Sequence, residues 1–567
     1  MPEQKRVHIA HLAGPTATIQ NTPPLVTSNK ARAKHGLPPR GYANGVAAKF
    51  DALRAQRLAA PAKVYVEQFS AHPLESDSAE LYGKPDGYIG ADGVFRTEKS
   101  SDTDKPVYEI DLLPEDGVYP LPYMALQADG TPWEEEMAVP FGPDAQARQG
   151  FFPDGSRSFE EIDRLSIGTD GTGNAISQQA DIEFFRVLPP GGFRKGLAAE
   201  ARADEGEGDI AAETRGIHFY GYKPFHLSAA PSRPTLAKIT NDTQAIADSG
   251  KYDGLIWTQG SPQVEEAAYW FNLLIDTALP ICGNAAQRPQ GQISHDGPKN
   301  IVDSVAFIRS RIWADAEGRN RCGTVVIQEQ QFFAAREVAK VDARPGGYVA
   351  TGGHGGILGQ ISHADNLSLM YVPAYKHTYL SDVNMRKLPA ATKAAKRIDG
   401  RITLVDVAIK DGAGKLLADA VPSVSILKAG SFSDEDFATG PDDEPEMLAS
   451  IEHKLSLGRL GGFVLEGLVP YGRLPSGSKE ALAERAIFTG LPVVRVGRNA
   501  PEGFADPSPL AIAGSNLTAT KARLLLMAAL MKLGALPLAA DPDRPTDAEK
   551  AATIAAIRGY QQIFDTH

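Results

Sequence analysis

The densest chemistry in the chain lies between residues 253 and 300. An apolar run, Gly254-Leu255-Ile256-Trp257, ends in Thr258-Gln259-Gly260-Ser261, and Pro262 opens a stretch with Glu265 and Glu266 in its first turns. A strand that ends in a small, hydroxyl-rich turn and feeds a helix is how an open α/β sheet presents a nucleophilic or ligand-binding hydroxyl. Ser261 is the hydroxyl so placed; the competing assignment is an ordinary capping serine before a proline suited to the first helical position. His354, in Gly352-Gly353-His354-Gly355-Gly356, sits in a glycine-rich loop whose backbone N–H groups can face an anion. The plainer assignment is a loop packing near a cleft. His218 and His226, around Tyr220 and Tyr222, read as strand residues. Cys282 and Cys322 lie in apolar strand-like contexts and read as buried, unreactive thiols of a reducing compartment. No His/Cys/Asp/Glu spacing reaches metal-site quality, and no phosphate loop or dinucleotide fingerprint occurs, so neither a metal nor a cofactor is expected.

These residues need a scaffold, and its pattern is regular. Val7 to Ala13 alternates apolar and polar residues, then meets Gly14-Pro15, which predicts a strand ending in a turn. The following segment is rich in hydroxyls and breakers and reads as a loop. Between residues 45 and 215 short strand-like runs (Lys63–Phe69, Val107–Ile110, Ile182–Val187) alternate with Asp-Gly and proline-rich turns, which predicts a β-rich insertion. Gly196 to Glu213 is acidic and reads as a linker or surface helix. From Gly216 onward strands alternate with helices. The strands are expected at Ile217–Phe219, Gly254–Thr258, Pro280–Gly283, Gly323–Gln328, Gly461–Leu465 and Pro492–Val496. The helices are expected at Val264–Ile275, Asn300–Trp313, Lys479–Thr489 and Thr518–Leu533. That alternation predicts an α/β fold with a covered parallel sheet.

At 567 residues the chain exceeds a single core. A net charge of −12 leaves no basic surplus for phosphates, which argues against nucleic acid as a partner. Met1 to Arg6 carries charge and no apolar secretory core, and the run Leu524–Ala540 is broken by Lys532, Gly534 and Pro537. The expectation is a soluble, cytoplasmic protein without a membrane segment.

At the 253–300 stretch the chain resembles the L-asparaginase/glutaminase amidohydrolase family, whose strand and turn read Asp-Gly-(two apolar residues)-Thr-His-Gly-Thr-Asp-Thr, followed by Glu-Glu-Thr-Ala-Tyr. Further blocks carry the resemblance: Ile281 to Pro289, Asp296-Gly297-Pro298-Lys299-Asn300, Ala335 to Lys340, Gly490 to Arg495 with Arg498, and Leu517 to Leu526. It implies a two-domain asparaginase-like fold. Residues 1–44 and 216–400 would form the N-terminal α/β domain, 45–215 the insertion, and 401–567 a smaller C-terminal α/β domain. A homodimer or homotetramer is implied, because the family builds its site at a subunit interface.

Carried over residue by residue, the resemblance makes Thr16 or Thr18 the nucleophile in Gly14-Pro15-Thr16-Ala17-Thr18-Ile19. Ser261 stands where the family has a second threonine, and Lys340 stands for the lysine that helps activate it. A hydroxyl attacks poorly until a base or cation lowers the cost of deprotonation, and a desolvated lysine can do so. Gln259, Gly260, Tyr42 and Ser228 (with Ser232 as an alternative) fall at substrate-binding positions, and Glu502 is the nearest match to a glutamate supplied across the interface. Pro262 replaces the aspartate that binds a substrate α-ammonium, so free asparagine should be disfavoured. Asp296 reads as structural. The implied activity is hydrolysis of a C–N amide bond in a small molecule, such as a cyclic amide, an imide or another amide without a free amino-acid head. An ester or lactone hydrolase, and a non-catalytic binder that lost the chemistry, are the alternatives.

Overall fold

The computed structural model describes residues 6–14, 42–43, 46–47, 62–66, 84–89, 95–112, 176, 179–186, 233–288, 294, 296–362, 366–429, 445–468, 472–475, 477–498 and 508–567. The helices among them are α1 (Arg233–Asp248), α2 (Gln263–Leu274), α3 (Gly297–Ser310), α4 (Pro445–Leu457), α5 (Gly477–Phe488), α6 (Ala519–Leu533) and α7 (Asp547–Thr566). Two compact units emerge. The first holds residues 1–230, 251–261 and 284–311, and the second 231–250, 262–283 and 312–567.

The strands of the first unit are β1 (Val7–Ala13), β2 (Tyr42–Ala43), β3 (Val46–Ala47), β4 (Ala62–Val66), β5 (Gly87–Ile89), β6 (Phe95–Arg96), β7 (Lys105–Leu112), β8 (Ala180–Arg186) and β9 (Gly254–Thr258). β1 runs parallel to both β8 and β9, with Ile9 opposite Ile182 on one side and Gly254 on the other. Gly254 to Trp257 are fully buried, as the continuous apolar run of a strand covered on both faces must be. β4, β7, β5 and β6 form a separate antiparallel sheet in that order. β8, also within residues 45–215, instead pairs with β1. Helix α3 starts at Gly297, three residues before the expected Asn300, because Asp296 takes the capping position and Pro298 sits in the first turn. It stops at Ser310, where Arg311 adopts a left-handed conformation (φ 54°).

The second unit opens with β10 (Ile281–Asn284, its last residue counted with the first unit), parallel to β11 (Thr324–Gln328). The expected parallel pattern stops there. β12 (Gln331–Ala334) turns back on β11, and β13 (Val338–Lys340) pairs with β14 (Tyr348–Ala350) as an antiparallel hairpin. β15 (Ile357–Ile361) and β16 (Leu367–Leu369) extend β12 in antiparallel fashion. A long hairpin follows, β17 (Ala391–Ile398) with β18 (Arg401–Ala408). The parallel sheet β19 (Ser423–Lys428), β20 (Gly461–Gly467), β21 (Val493–Gly497) and β22 (Ile512–Ala513) then appears as the sequence blocks near 461 and 493 imply. The fold is therefore α/β with mixed sheets. Helices α2 and α6 are buried nearly all round, the signature of core helices. α7 opens with a capping box, Thr546 and Glu549, and buries Thr553, Ile557, Tyr560, Ile563 and Phe564.

Both cysteines are buried, and burial drives the Cys282 thiol well above its usual range and Cys322 up to about 12, so neither supplies a thiolate. Among the described residues no group of His, Cys, Asp or Glu can hold a metal ion, and no helix is long and apolar enough to cross a membrane. The strand expected at 217–219 and the segment 196–213 lie outside the described residues.

Candidate active site

The chemistry of the first unit gathers where β1 and β9 end. The Gly14 N–H donates to the Thr258 carbonyl at 2.8 Å, continuing the β1–β9 ladder one residue past the strand. A methyl group built on Gly14 would lie 2.7 Å from the Trp257 ring and 3.2 Å from the Gln259 side chain. Only glycine lets the exit of β1 lie this close to the turn after β9. The turn itself is rigid. Gln259 is buried, its side-chain Oε1 accepts the Trp257 indole N–H at 2.9 Å, and its own backbone N–H donates to the Asn284 carbonyl.

Behind the turn runs a chain of buried polar groups. The Thr258 hydroxyl donates to Asn284 Oδ1 at 2.6 Å, which leaves His11 Nε2 as the donor to that hydroxyl at 2.7 Å. Asn284 Nδ2 then donates to Ser304 Oγ, which donates to the Asn300 carbonyl. Asp296 does not cap α3 with its side chain; its carboxylate accepts the backbone N–H groups of Gln287 and Arg288 at 2.8–3.1 Å. The structural reading of Asp296 is thereby explained. His11, Thr258, Asn284 and Ser304 were not singled out by sequence reasoning, although they stand at the strand ends and helix start where such a network belongs.

Ser261 is half-buried at the end of this turn. It does not cap α2. Pro262 itself holds the capping position, one residue before the first helical position, and no side chain accepts a bond there. Gly260 precedes it, also half-buried. Thr16, Thr18, Ser228, Ser232 and Glu502 lie outside the described residues, and Tyr42 is described only as backbone within β2.

Lys340 belongs to the second unit and ends strand β13. Its ammonium donates to the Arg344 carbonyl at 2.6 Å and lies 5.5 Å from the Tyr348 ring centre. Its backbone N–H donates to the Glu265 carboxylate, so the first turn of α2 holds the end of β13. Glu265 is part of a buried ionic knot. Lys521 Nζ, almost wholly buried, donates to the main-chain oxygens of Glu265 (2.6 Å) and Ala335 (2.7 Å). Burial lowers the Lys521 pKa and raises that of Glu265, each opposed by the charge of the other. Arg523 pairs with Glu266, and Arg336 pairs with Glu337. Three matched sequence blocks thus meet in one network within this unit. No local signal announced it, since Lys521 reaches across 256 and 186 positions to its partners. His354, in a short helical turn before β15, is exposed.

One comparison with known proteins takes in part of these residues. A family model described as asparaginase, N-terminal, matches residues 225–363, a stretch that takes in Ser228, Gln259, Gly260, Ser261 and Lys340. Over these residues the chain is similar to asparaginases. It is 33% identical over 106 residues to the glutaminase-asparaginase of Acinetobacter glutaminasificans, covering 19% of this chain and 29% of the relative. It is 32% identical over 156 residues to L-asparaginase 2 of Escherichia coli K12 (27% and 40%), and 28% identical over 226 residues to L-asparaginase of Bacillus licheniformis (39% and 61%). The chain therefore spans between 29% and 61% of the length of these relatives. A solved structure, the probable cytoplasmic L-asparaginase from Campylobacter jejuni, is similar at 21% identity with a TM-score of 0.43, covering 68% of this chain and 87% of that one.

Proposed function

We propose that the chain hydrolyses the C–N bond of a small amide, using a threonine of the loop after β1 as nucleophile. One observation carries this reading: Gly14 is packed against Trp257 and Gln259, so that loop starts beside the turn bearing Ser261. The relatives' names, L-asparaginase and glutaminase-asparaginase, supply the reaction class. In the reaction, the Thr16 or Thr18 oxygen attacks the amide carbonyl carbon while its proton passes towards Ser261 and Lys340. Backbone N–H groups of the two turns stabilise the oxyanion. The C–N bond then breaks, the returned proton lets ammonia or an amine depart, and water cleaves the resulting ester to release the acid. Gln259 and Gly260 line the substrate, with Ser228 and Tyr42 as further contacts, in a homodimer or homotetramer. The β-rich insertion contributes to specificity.

Pro262 decides the substrate's head group. The proline side chain offers neither charge nor acceptor, so a substrate ammonium placed there forgoes a charge-assisted contact. Amides without a free α-amino acid head are favoured. The test is acid formation over a panel of linear amides, cyclic amides and imides, read as ammonia from primary amides and as ring-opened acid by liquid chromatography from cyclic ones, with Lys340→Met as the control and Thr16→Ala beside Thr18→Ala to identify the nucleophile. Turnover that falls in Lys340→Met and in one threonine variant supports the proposal. A panel on which the chain forms no more ammonia or ring-opened acid than Lys340→Met overturns it in favour of a binding protein.

A further inference from the structure

We propose that His11, acting through Thr258, is a positioning residue for the turn that carries Ser261. Its role in turnover rests on the amide-hydrolysis reading, whereas its hold on the turn does not. His11 lies in β1, opposite Phe184 on β8 and Ile256 on β9, and is wholly buried in the first unit. Its neighbours Ile9, Ala10 and Leu12 are as apolar as a strand covered on both faces requires. A buried imidazole in such a place is tolerated only where its polar atoms are engaged. His11 Nε2 meets the Thr258 hydroxyl at 2.7 Å. No step of the reaction proposed above uses it.

The far end of this chain of bonds fixes its direction. The Asn300 carbonyl can only accept, so Ser304 Oγ spends its proton there at 2.8 Å and must accept from Asn284 Nδ2 at 3.2 Å. That turns Asn284 Oδ1 towards the Thr258 hydroxyl, which donates to it at 2.6 Å. A hydroxyl has one proton, so Thr258 has only acceptance left to offer, and the imidazole must carry a proton on Nε2. Thr258 is then tied to β1 twice, by its carbonyl to the Gly14 N–H and by its hydroxyl to His11. Asn284 grips the next residue as well, since its carbonyl accepts the Gln259 N–H at 3.1 Å. Without a donor at position 11, the Thr258 hydroxyl and the Asn284 amide lose the bond that completes their arrangement, and the peptide leading to Gly260 and Ser261 gains alternatives. A reacting group displaced by about 1 Å can lose about 100-fold in rate, so the effect falls on kcat.

The test compares His11→Met with His11→Gln in the full chain, two side chains of similar length of which only the second offers an N–H donor. Hydrogen exchange followed by mass spectrometry reads the amides of Gln259 and Gly260, and kcat and KM are taken on whichever amide the wild type turns over. In His11→Met, exchange at Gln259 and Gly260 rises by about tenfold or more while the buried Leu255 and Ile256 of β9 keep their protection. There kcat per folded molecule falls by about tenfold or more at unchanged KM, and His11→Gln recovers most of both losses. Thr258→Val keeps the shape and removes the hydroxyl, so it matches His11→Met, and the double variant is no worse than either single. Wild-type exchange and kcat in His11→Met, equal defects in His11→Met and His11→Gln, or losses that add in the double variant overturn the proposal. Faster exchange spread evenly along β9 is general destabilisation and overturns it too. Should His11→Met not fold, Thr258→Val against His11→Gln carries the same comparison. If no amide is turned over, the amidase reading falls, and hydrogen exchange alone upholds or overturns the role of His11.

Discussion

Replacing Gly14 with alanine tests the geometry on which the active-site proposal stands. The added carbon would lie 2.7 Å from Cζ2 and 3.1 Å from Cε2 of Trp257, inside any normal contact. Trp257 cannot yield cheaply, being 1% exposed and tied through its indole N–H to Gln259. Overpacking of this kind costs about 1–3 kcal/mol. Trp257→Phe removes both crowded atoms and also the donor to the buried Gln259 oxygen, which costs about 1–3 kcal/mol by itself plus a cavity term. The two losses should not add: with the clashing atoms gone, Gly14→Ala becomes nearly neutral, giving a coupling of order 1 kcal/mol or more. Urea unfolding of wild type, both singles and the double variant measures the cycle. Activity should fall more steeply than stability in Gly14→Ala, since about 1 Å of displacement at a reacting group can cost 100-fold. A cycle additive within ~0.5 kcal/mol would refute the close approach of the β1 exit to the Gln259 turn.

Further outcomes follow from the same physics. Lys521→Met strands the Glu265 carboxylate and two buried carbonyls, so chemical denaturation should show a loss of about 3–5 kcal/mol. Burial holds His377 and His567 at about 4, below the 6.5 of an unburied histidine, so the unfolded chain binds protons first as pH falls. Their contribution is intact above pH 6.5 and disappears towards pH 4, up to about 3 kcal/mol each; a His377→Gln variant whose melting temperature keeps the wild-type slope across this range would contradict the assignment. Pro262→Asp should shift preference towards free asparagine over a head-blocked amide by about 10- to 150-fold in kcat/KM, equivalent to about 1.5–3 kcal/mol, as read from paired ammonia-release rates.

Strand β1, strand β9, the Ser261 turn and helices α2 and α6 were legible in the sequence, because each is set by local periodicity and by breakers at its ends. The β17–β18 hairpin carried a local signal too, Asp399-Gly400 with both residues at positive φ (49° and 78°), but no regular apolar alternation drew attention to it. The antiparallel turn of β12 away from β11 rests on Glu329 and Gln330 adopting φ of 48° and 64°, a conformation their side chains do not advertise. Tertiary structure alone decided the polar architecture. A threonine, an asparagine or a lysine looks the same in any sequence; whether it is solvated or buried depends on which distant carbonyls and carboxylates arrive to meet it. Thr258 is joined to His11 across 247 positions and Lys521 to Glu265 across 256, and only the packed chain brings those partners within bonding distance.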